Sequence, residues 1–283
     1  VAPATERRWA EVGDGVWICR HRDLDLTTGV VIGADAMLVI DTGVDVATGI
    51  ALREASRLLT PAAAELPLSV AYTHAHYDHC FGTAGFVEAA RGRVPVHAQR
   101  GCRLDLEQTG ERQREAVVAR YRGAGREAEA EAIAAVRPVL PDRVFTTSAT
   151  VELGGGRDVS LLHLGRGHTD HDVLVLVPDA DVLFAGDLLE NGAPPAFEDS
   201  FPAEWPVTLT RLLDLLGPAA PDTVVVPGHG DPVDAAFVAA QRDEVQAVVE
   251  ACRSGQLDDG PYPPPVMAQA AAAYAKNPAG RTR

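Results

Sequence analysis

The sequence predicts an α/β protein, and three observations predict it. Short runs rich in β-branched and aliphatic residues alternate with longer segments whose apolar residues recur at helical spacing. The strand-like runs close on Gly, Asp or Pro, as in "AMLVIDTG" and "DTVVVPG". The alternation falls into two broadly similar halves, about 1–145 and 146–283, without the self-similarity of a sequence repeat. The 283 residues are therefore expected to share one core as a single domain.

The elements follow in order. "GVWICRH", "TTGVVIGA" and "AMLVIDTG" read as strands. "DVATGIALREASRLLTPAAA" reads as a helix with Pro61 near its end, and "LPLSVAYT" as a buried strand. A helix in "FGTAGFVEAARG" and a strand in "VPVHA" come next. Residues from about 100 to 140 are charged, alanine-rich and nearly free of β-branched clusters, which predicts a helical insertion. It serves either as a solvated cap over the domain or as one side of a substrate pocket. Strands resume in "ATVELGGG", "DVSLLHLG", "DVLVLVPDA" and "DVLFAGD", the last two joined by a tight polar turn. "PVTLTRLLDLLGP" is a helix, "DTVVVPG" a strand and "AAFVAAQRDEVQAVVEACRSG" a long final helix. The tail, with "YPPPV" and a run of alanines, carries no chemical signal.

Composition narrows the classes of function. A net charge of −15 argues against a partner held by phosphate contacts, so no nucleic-acid partner is expected. No apolar run reaches the roughly 18 to 20 residues that span a bilayer, and "VAPATERRWAEVG" lacks the apolar centre of a secretory signal. Cys19, Cys80, Cys102 and Cys252 are scattered, which suggests neither a zinc ribbon nor a disulfide framework. A cytoplasmic protein acting on a small molecule is the expectation. Oligomeric state is not legible in the pattern.

The chemical signal is concentrated in "THAHYDHC", where three of nine histidines and an aspartate occupy six positions. His74 and His76, two apart on extended chain, can point to one side and share one metal. Asp78 and His79 follow where the backbone turns into a helix, and can face a second point about 3.5 to 4 Å away, the usual separation in two-metal sites. Four imidazole and carboxylate groups packed so closely have few uses other than metal binding. The same arrangement, an apolar run followed by Gly and a potential ligand, recurs at His168, Asp187 and His229. Ligands at the ends of separate strands can converge on one rim of a sheet.

The ordered set "HAHYDH", "GHT", "AGD" and "PGHG" resembles the metallo-β-lactamase fold superfamily, whose first motif is HxHxDH. The resemblance runs from "TTGVVIGADAMLVIDTG" through "PGHG" and implies a four-layer αββα sandwich with metals at one edge between two sheets. By position it assigns His74, His76 and His168 to a first metal and Asp78, His79 and His229 to a second, with Asp187 bridging. Two divalent ions are implied, zinc first, with iron and manganese suited to the same donors. Asp41 matches a position that supports the site from behind, and His163 is a candidate for the same role. His171 is within reach of the pocket but all seven ligand positions are filled. His21 and His97 are weaker candidates.

The resemblance implies a hydrolase in which a metal-bridging hydroxide attacks a carbonyl, with Asp78 orienting it and accepting its proton. Many zinc β-lactamases have Cys or Ser where Asp187 stands, whereas glyoxalase II-like thioesterases and lactonases have aspartate. Thioesters, lactones and other esters therefore lead, with β-lactams secondary. A mononuclear iron persulfide dioxygenase-like oxidoreductase and a non-catalytic metal-binding protein are the alternatives. In "LLENGAPPAFEDSFPAEWP", Pro194, Pro195, Phe197, Phe201 and Trp205 form either an apolar substrate wall or a surface loop pinned by its prolines.

Overall fold

Alternate side chains along a strand go to opposite faces of a sheet, and this period of two sorts the core of the protein into layers. The computed structural model describes residues 8–90, 92–217 and 223–277. In the first half, β1 (Arg8–Gly13), β2 (Val16–His21), β3 (Leu26–Ile32) and β4 (Met37–Ile40) pair antiparallel, and β5 (Leu68–Ala71), β6 (Val96–Gln99) and β7 (Arg143–Phe145) extend the sheet in parallel. In the second half, β8 (Ser148–Glu152), β9 (Asp158–Leu162), β10 (Leu174–Val177) and β11 (Val182–Glu190) are antiparallel neighbours, with β12 (Val224–His229) parallel to β11.

Val31, Leu38 and Ile40 from the first half meet Val175, Phe184 and Val226 from the second in a central apolar layer. Their sequence neighbours face outward: Val30 and Val39 pack under one set of helices, Leu183 and Val225 under the other. The expected αββα layering is thus present. Its two sheets are nevertheless one hydrogen-bonded sheet of 12 strands, joined where β12 meets β3 at the single pair His229 and Leu26. A twisted sheet of this width curls over on itself, which brings its two halves face to face.

On the first outer face lie α1 (Val46–Ser56), the single turn α2 (Tyr77–Cys80), α3 (Thr83–Ala89), α4 (Arg100–Gly123) and α5 (Glu127–Ala134). Asp45 starts α1 by accepting the Thr48 amide at 2.7 Å. The helix expected to run on past Pro61 stops at Ser56, and only a 3₁₀ turn at Ala62–Ala64 follows: a helix continued through Pro61 would set the proline ring against the Arg57 carbonyl and leave that carbonyl without a donor. α4 and α5 form the expected helical insertion. The second outer face carries α6 (Trp205–Leu216), α7 (Ala235–Ser254) and α8 (Pro264–Lys276). β1 and α8 were not anticipated. Ala270 and Ala273 are fully buried with Met267, so the alanine run is a packing face of small side chains. No helix among the described residues is long and apolar enough to cross a membrane.

Candidate metal centre

β5 ends at Ala71, and the chain bends through residues 73–75 before α2 begins. His74 and His76 therefore do not sit on extended strand, as their spacing suggested. The bend brings their rings edge to face at 4.7 Å. Asp78 and His79 lie in the single turn of α2. His168 leaves the chain in a bend beyond β9, and His229 is the last residue of β12. Asp187 is not at a strand end, since β11 continues to Glu190. What aims it is a break in register at Gly186, whose φ of +53° is easily adopted by glycine and whose absent Cβ would lie 2.7 Å from Thr73 Cβ. Across from it, a Cβ on Gly228 would stand 1.9 Å from Asp187 Oδ1, so the glycines of "AGD" and "PGHG" clear the space around this carboxylate.

The seven residues converge as two groups, His74, His76, His168 and Asp187 in one and Asp78, His79 and His229 in the other; within each, the donor atoms lie within 4.8 Å of one another. His168 Nε2 is 2.9 Å from His76 Nδ1, and His79 Nε2 is 3.4 Å from His229 Nε2. Asp187 faces both groups: its Oδ2 is 3.5 Å from His168 Nε2 and 3.5 Å from His229 Nε2, and its Oδ1 is 3.1 Å from His79 Nε2. His74 Nδ1 is 3.0 Å from Thr73 Oγ1, which leaves Nε2 to face the cluster, buried and without a hydrogen-bond partner. A buried ring nitrogen left so costs stability unless something else satisfies it. A cation held by these imidazoles and Asp187 would do so, and the donor set suits zinc, iron or manganese.

The electrostatics separate the two groups. Burial, with His79 nearby, pushes His74 well below the ordinary imidazole range, and burial pushes His168 down to about 4. Both are neutral bases at pH 7, the form that ligates metal. Burial also opposes charge on His76, but the Asp199 carboxylate prevails and raises it to about 9. His229 is raised to about 12, Asp187 and Asp78 overcoming burial, and His79 is raised likewise by Asp187 and Asp41. Against burial, His79 and His229 hold Asp78 down to about 2, and with His74 they lower Asp187. Without metal, the second group is thus a compact set of ion pairs.

The supporting residues are partly those expected. Asp41 accepts from the Thr73 amide at 2.8 Å and the Thr73 hydroxyl at 2.7 Å, and its Oδ2 lies 2.8 Å from His79 Nδ1. His171 is not in either group. Its Nε2 accepts the Ala75 amide at 3.2 Å, which steadies the bend between His74 and His76. His163 acts further back, donating from Nδ1 to the Asp172 carbonyl at 2.8 Å. His97 lies in β6, outside both groups, and His21 Nε2 lies 2.9 Å from Thr28 Oγ1.

Sequence reasoning missed Asp199, whose Oδ2 lies 3.0 Å from His76 Nε2. It also missed Glu190, raised to about 8 by burial and by the Asp187 charge. Asp199 lies inside the proline-rich segment singled out above, but no spacing rule pointed to it. The aromatic residues of that segment are not an open wall: Phe197 and Trp205 are fully buried in the second outer core. Trp205 donates to the Leu188 carbonyl at 3.2 Å and packs its ring 5.9 Å from that of His168. It backs the site as core.

α4 does more than cover the domain. Gln113 donates to the Ala75 carbonyl at 3.2 Å and Arg120 to the Tyr77 hydroxyl at 2.7 Å, which ties the insertion to the "HAHYDH" loop. A cavity of about 490 Å³ opens between α5, α1 and the β2–β3 turn, lined by apolar residues such as Leu24, Leu26 and Ile133 and by charged ones such as Arg20, Arg126 and Glu129. The Leu24 carbonyl in its wall accepts His229 Nδ1 at 2.8 Å, so the cavity adjoins the second group.

Comparison with known proteins agrees with this geometry. Residues 23–229 match the family model described as the metallo-beta-lactamase superfamily. A metallo-beta-lactamase type 2 from Bacteroides fragilis is 33% identical over 95 residues, which cover 32% of this chain and 36% of that protein. Among solved structures, a metallo-beta-lactamase from Pontibacter korlensis superposes with a TM-score of 0.66 at 22% identity, covering 85% of this chain and 99% of the other. One from Hirschia baltica gives 0.62 at 17% identity, covering 84% and 96%.

Proposed function

Because the chain belongs to the metallo-beta-lactamase superfamily, we propose that it is a dinuclear metal-dependent hydrolase of carbonyl substrates, with His74, His76, His168 and Asp187 holding one divalent ion and Asp78, His79, His229 and Asp187 the other. The observation that carries this reading is the convergence of both donor groups on Asp187, with a buried, partnerless His74 Nε2 facing them. Two ions at such a centre supply Lewis acidity toward a carbonyl oxygen and acidify a water toward neutral pH. Zinc is the first choice.

The protein's own groups do the remainder. Asp78, kept ionised by His79 and His229, orients the attacking water and accepts its proton. His76, Asp78 and His229 have side chains 22%, 13% and 16% exposed, against 1% for His74 and 0% for His79, so substrate approaches across the first three. Asp41 and Asp199 hold the rings of His79 and His76 from behind. The cavity beside His229 takes the non-reacting part of the substrate, and its lining, Leu24, Leu26, Tyr121 and Ile133 together with Arg20, Arg22, Arg126 and Glu129, suits a group with both apolar and polar parts.

Aspartate at position 187 keeps thioesters, lactones and other carboxylic esters ahead of β-lactams, although the similar proteins are named for the latter. A panel of thioesters, lactones, aryl esters and β-lactams, run on protein of measured metal content, tests the assignment. Turnover of a member of the first three classes is expected. One iron per chain with oxygen consumption would replace it with the dioxygenase reading, and inertness across the panel with a binding protein.

A further inference from the structure

At the opposite end of β5 from the metal centre, where Leu68 begins the strand, a groove of about 880 Å³ runs between α1, the end of α3, and β6 and β7. We propose that this groove is a second ligand site, for a small molecule bearing a phosphate group. Among the described residues its lining contains Arg53, Arg57, Arg93 and Arg143 against a single acid, Glu65. Arg93 is engaged by Asp142, so the groove keeps an excess of two positive charges, in a chain whose net charge is −15.

Arg53, in the last turn of α1, and Arg57, which caps the helix, are the centre of the site. They lie one helical turn apart, where like charges repel, and both are half-buried. Among the described residues neither has a carboxylate oxygen within 4.0 Å. Arg57 is fixed in place by bonds to the Ala64 and Leu66 carbonyls, yet its Nε is buried and has no partner. Burial and the Arg57 charge lower Arg53 from the usual guanidinium range. A fixed guanidinium, Arg57, and a half-buried one beside it, Arg53, sharing one groove suit the oxygens of a phosphate dianion, which guanidinium groups bind by charge-assisted hydrogen bonds. Ser69 and His97 line the same groove and offer further donors.

None of these residues touches either metal-binding group, so the site is separable from hydrolysis. The test is a titration of the metal-loaded protein with adenosine 5′-monophosphate, and separately with inorganic phosphate, followed by amide chemical shifts. The amides of Ser69, Gly92 and Val94 should move. Arg53→Gln with Arg57→Gln should weaken binding at least about tenfold, the exposed Arg143→Gln should weaken it less, and ester turnover should be unchanged in both. Comparable affinity for both probes identifies free phosphate as sufficient; preference for the nucleotide identifies a phosphate monoester. Shifts confined to residues 73–79, equal affinity in the double variant, or no shift at all would overturn the proposal.

Discussion

Asp41 Oδ2 lies 2.8 Å from His79 Nδ1, and this contact turns His79 Nε2 toward Asp187 Oδ1, 3.1 Å away. Asp41 does this from a left-handed backbone conformation, φ +58°, which aspartate tolerates better than most residues. The same carboxylate fixes Thr73, and Thr73 Oγ1 in turn touches His74 Nδ1. One residue outside the donor set therefore orients a ring in each group.

Asp41→Asn retains the backbone preference but removes the charge. It should weaken metal binding about 10- to 100-fold, the usual cost of losing a partner behind a metal-bound histidine. Competition with a chromophoric chelator measures this. Wild-type affinity would show that Asp41 is only a fold determinant.

His171→Ala should leave metal content intact. It strips the buried Ala75 amide of its acceptor, and an orphaned buried donor costs about 1 to 3 kcal/mol. Denaturant unfolding of the metal-loaded variant should show that loss. Metal depletion without destabilisation would instead make His171 a ligand.

Trp205→Ala should cost about 3 to 5 kcal/mol, as for other large buried aromatics, because its ring is fully buried between Phe197 and the His168 side. Trp205→Phe should lose much less stability and retain activity. A changed substrate preference with unaltered stability in the alanine variant would restore the pocket-wall role.

Metal binding should release protons at pH 7. In the metal-free protein His76 and His229 titrate near 9 and 12 rather than 6.5, and His79 is also raised, so all three carry protons that a metal must displace. Affinity should rise with pH above 7 and continue to rise past 9, since His229 still holds its proton there, and the heat of zinc binding should depend on the ionisation enthalpy of the buffer. The same raised values mean that, without metal, these imidazolium pairs stabilise the fold fully below pH 6.5 and less as pH climbs through 9 and 12. Buffer-independent heats would contradict the protonation of this group.

That these seven residues gather was legible in the motifs "HAHYDH", "GHT", "AGD" and "PGHG" and in the resemblance they carry, because imidazoles and carboxylates set so closely in the chain have few other uses. The layering was legible only through that resemblance: continuous apolar runs such as those of β3 and β4 mark strands buried on both faces, but not how the two halves of a sheet stack. The exact settings of the donors were not legible. The bend at His74 and the register break that aims Asp187 depend on contacts with Thr73 across strands distant in sequence. Asp199 reaches His76 across 123 residues, and nothing in local spacing marks such a partner. Phe197 and Trp205 show the complementary limit, since apolar composition alone does not separate a pocket wall from a core.

The most direct measurement is a titration of the metal-free protein with zinc while turnover of an ester or thioester substrate is followed. Two donor groups sharing Asp187 predict activity that climbs to a plateau at about two equivalents per chain. A plateau at one equivalent, or full turnover before any metal is added, would contradict the dinuclear assignment.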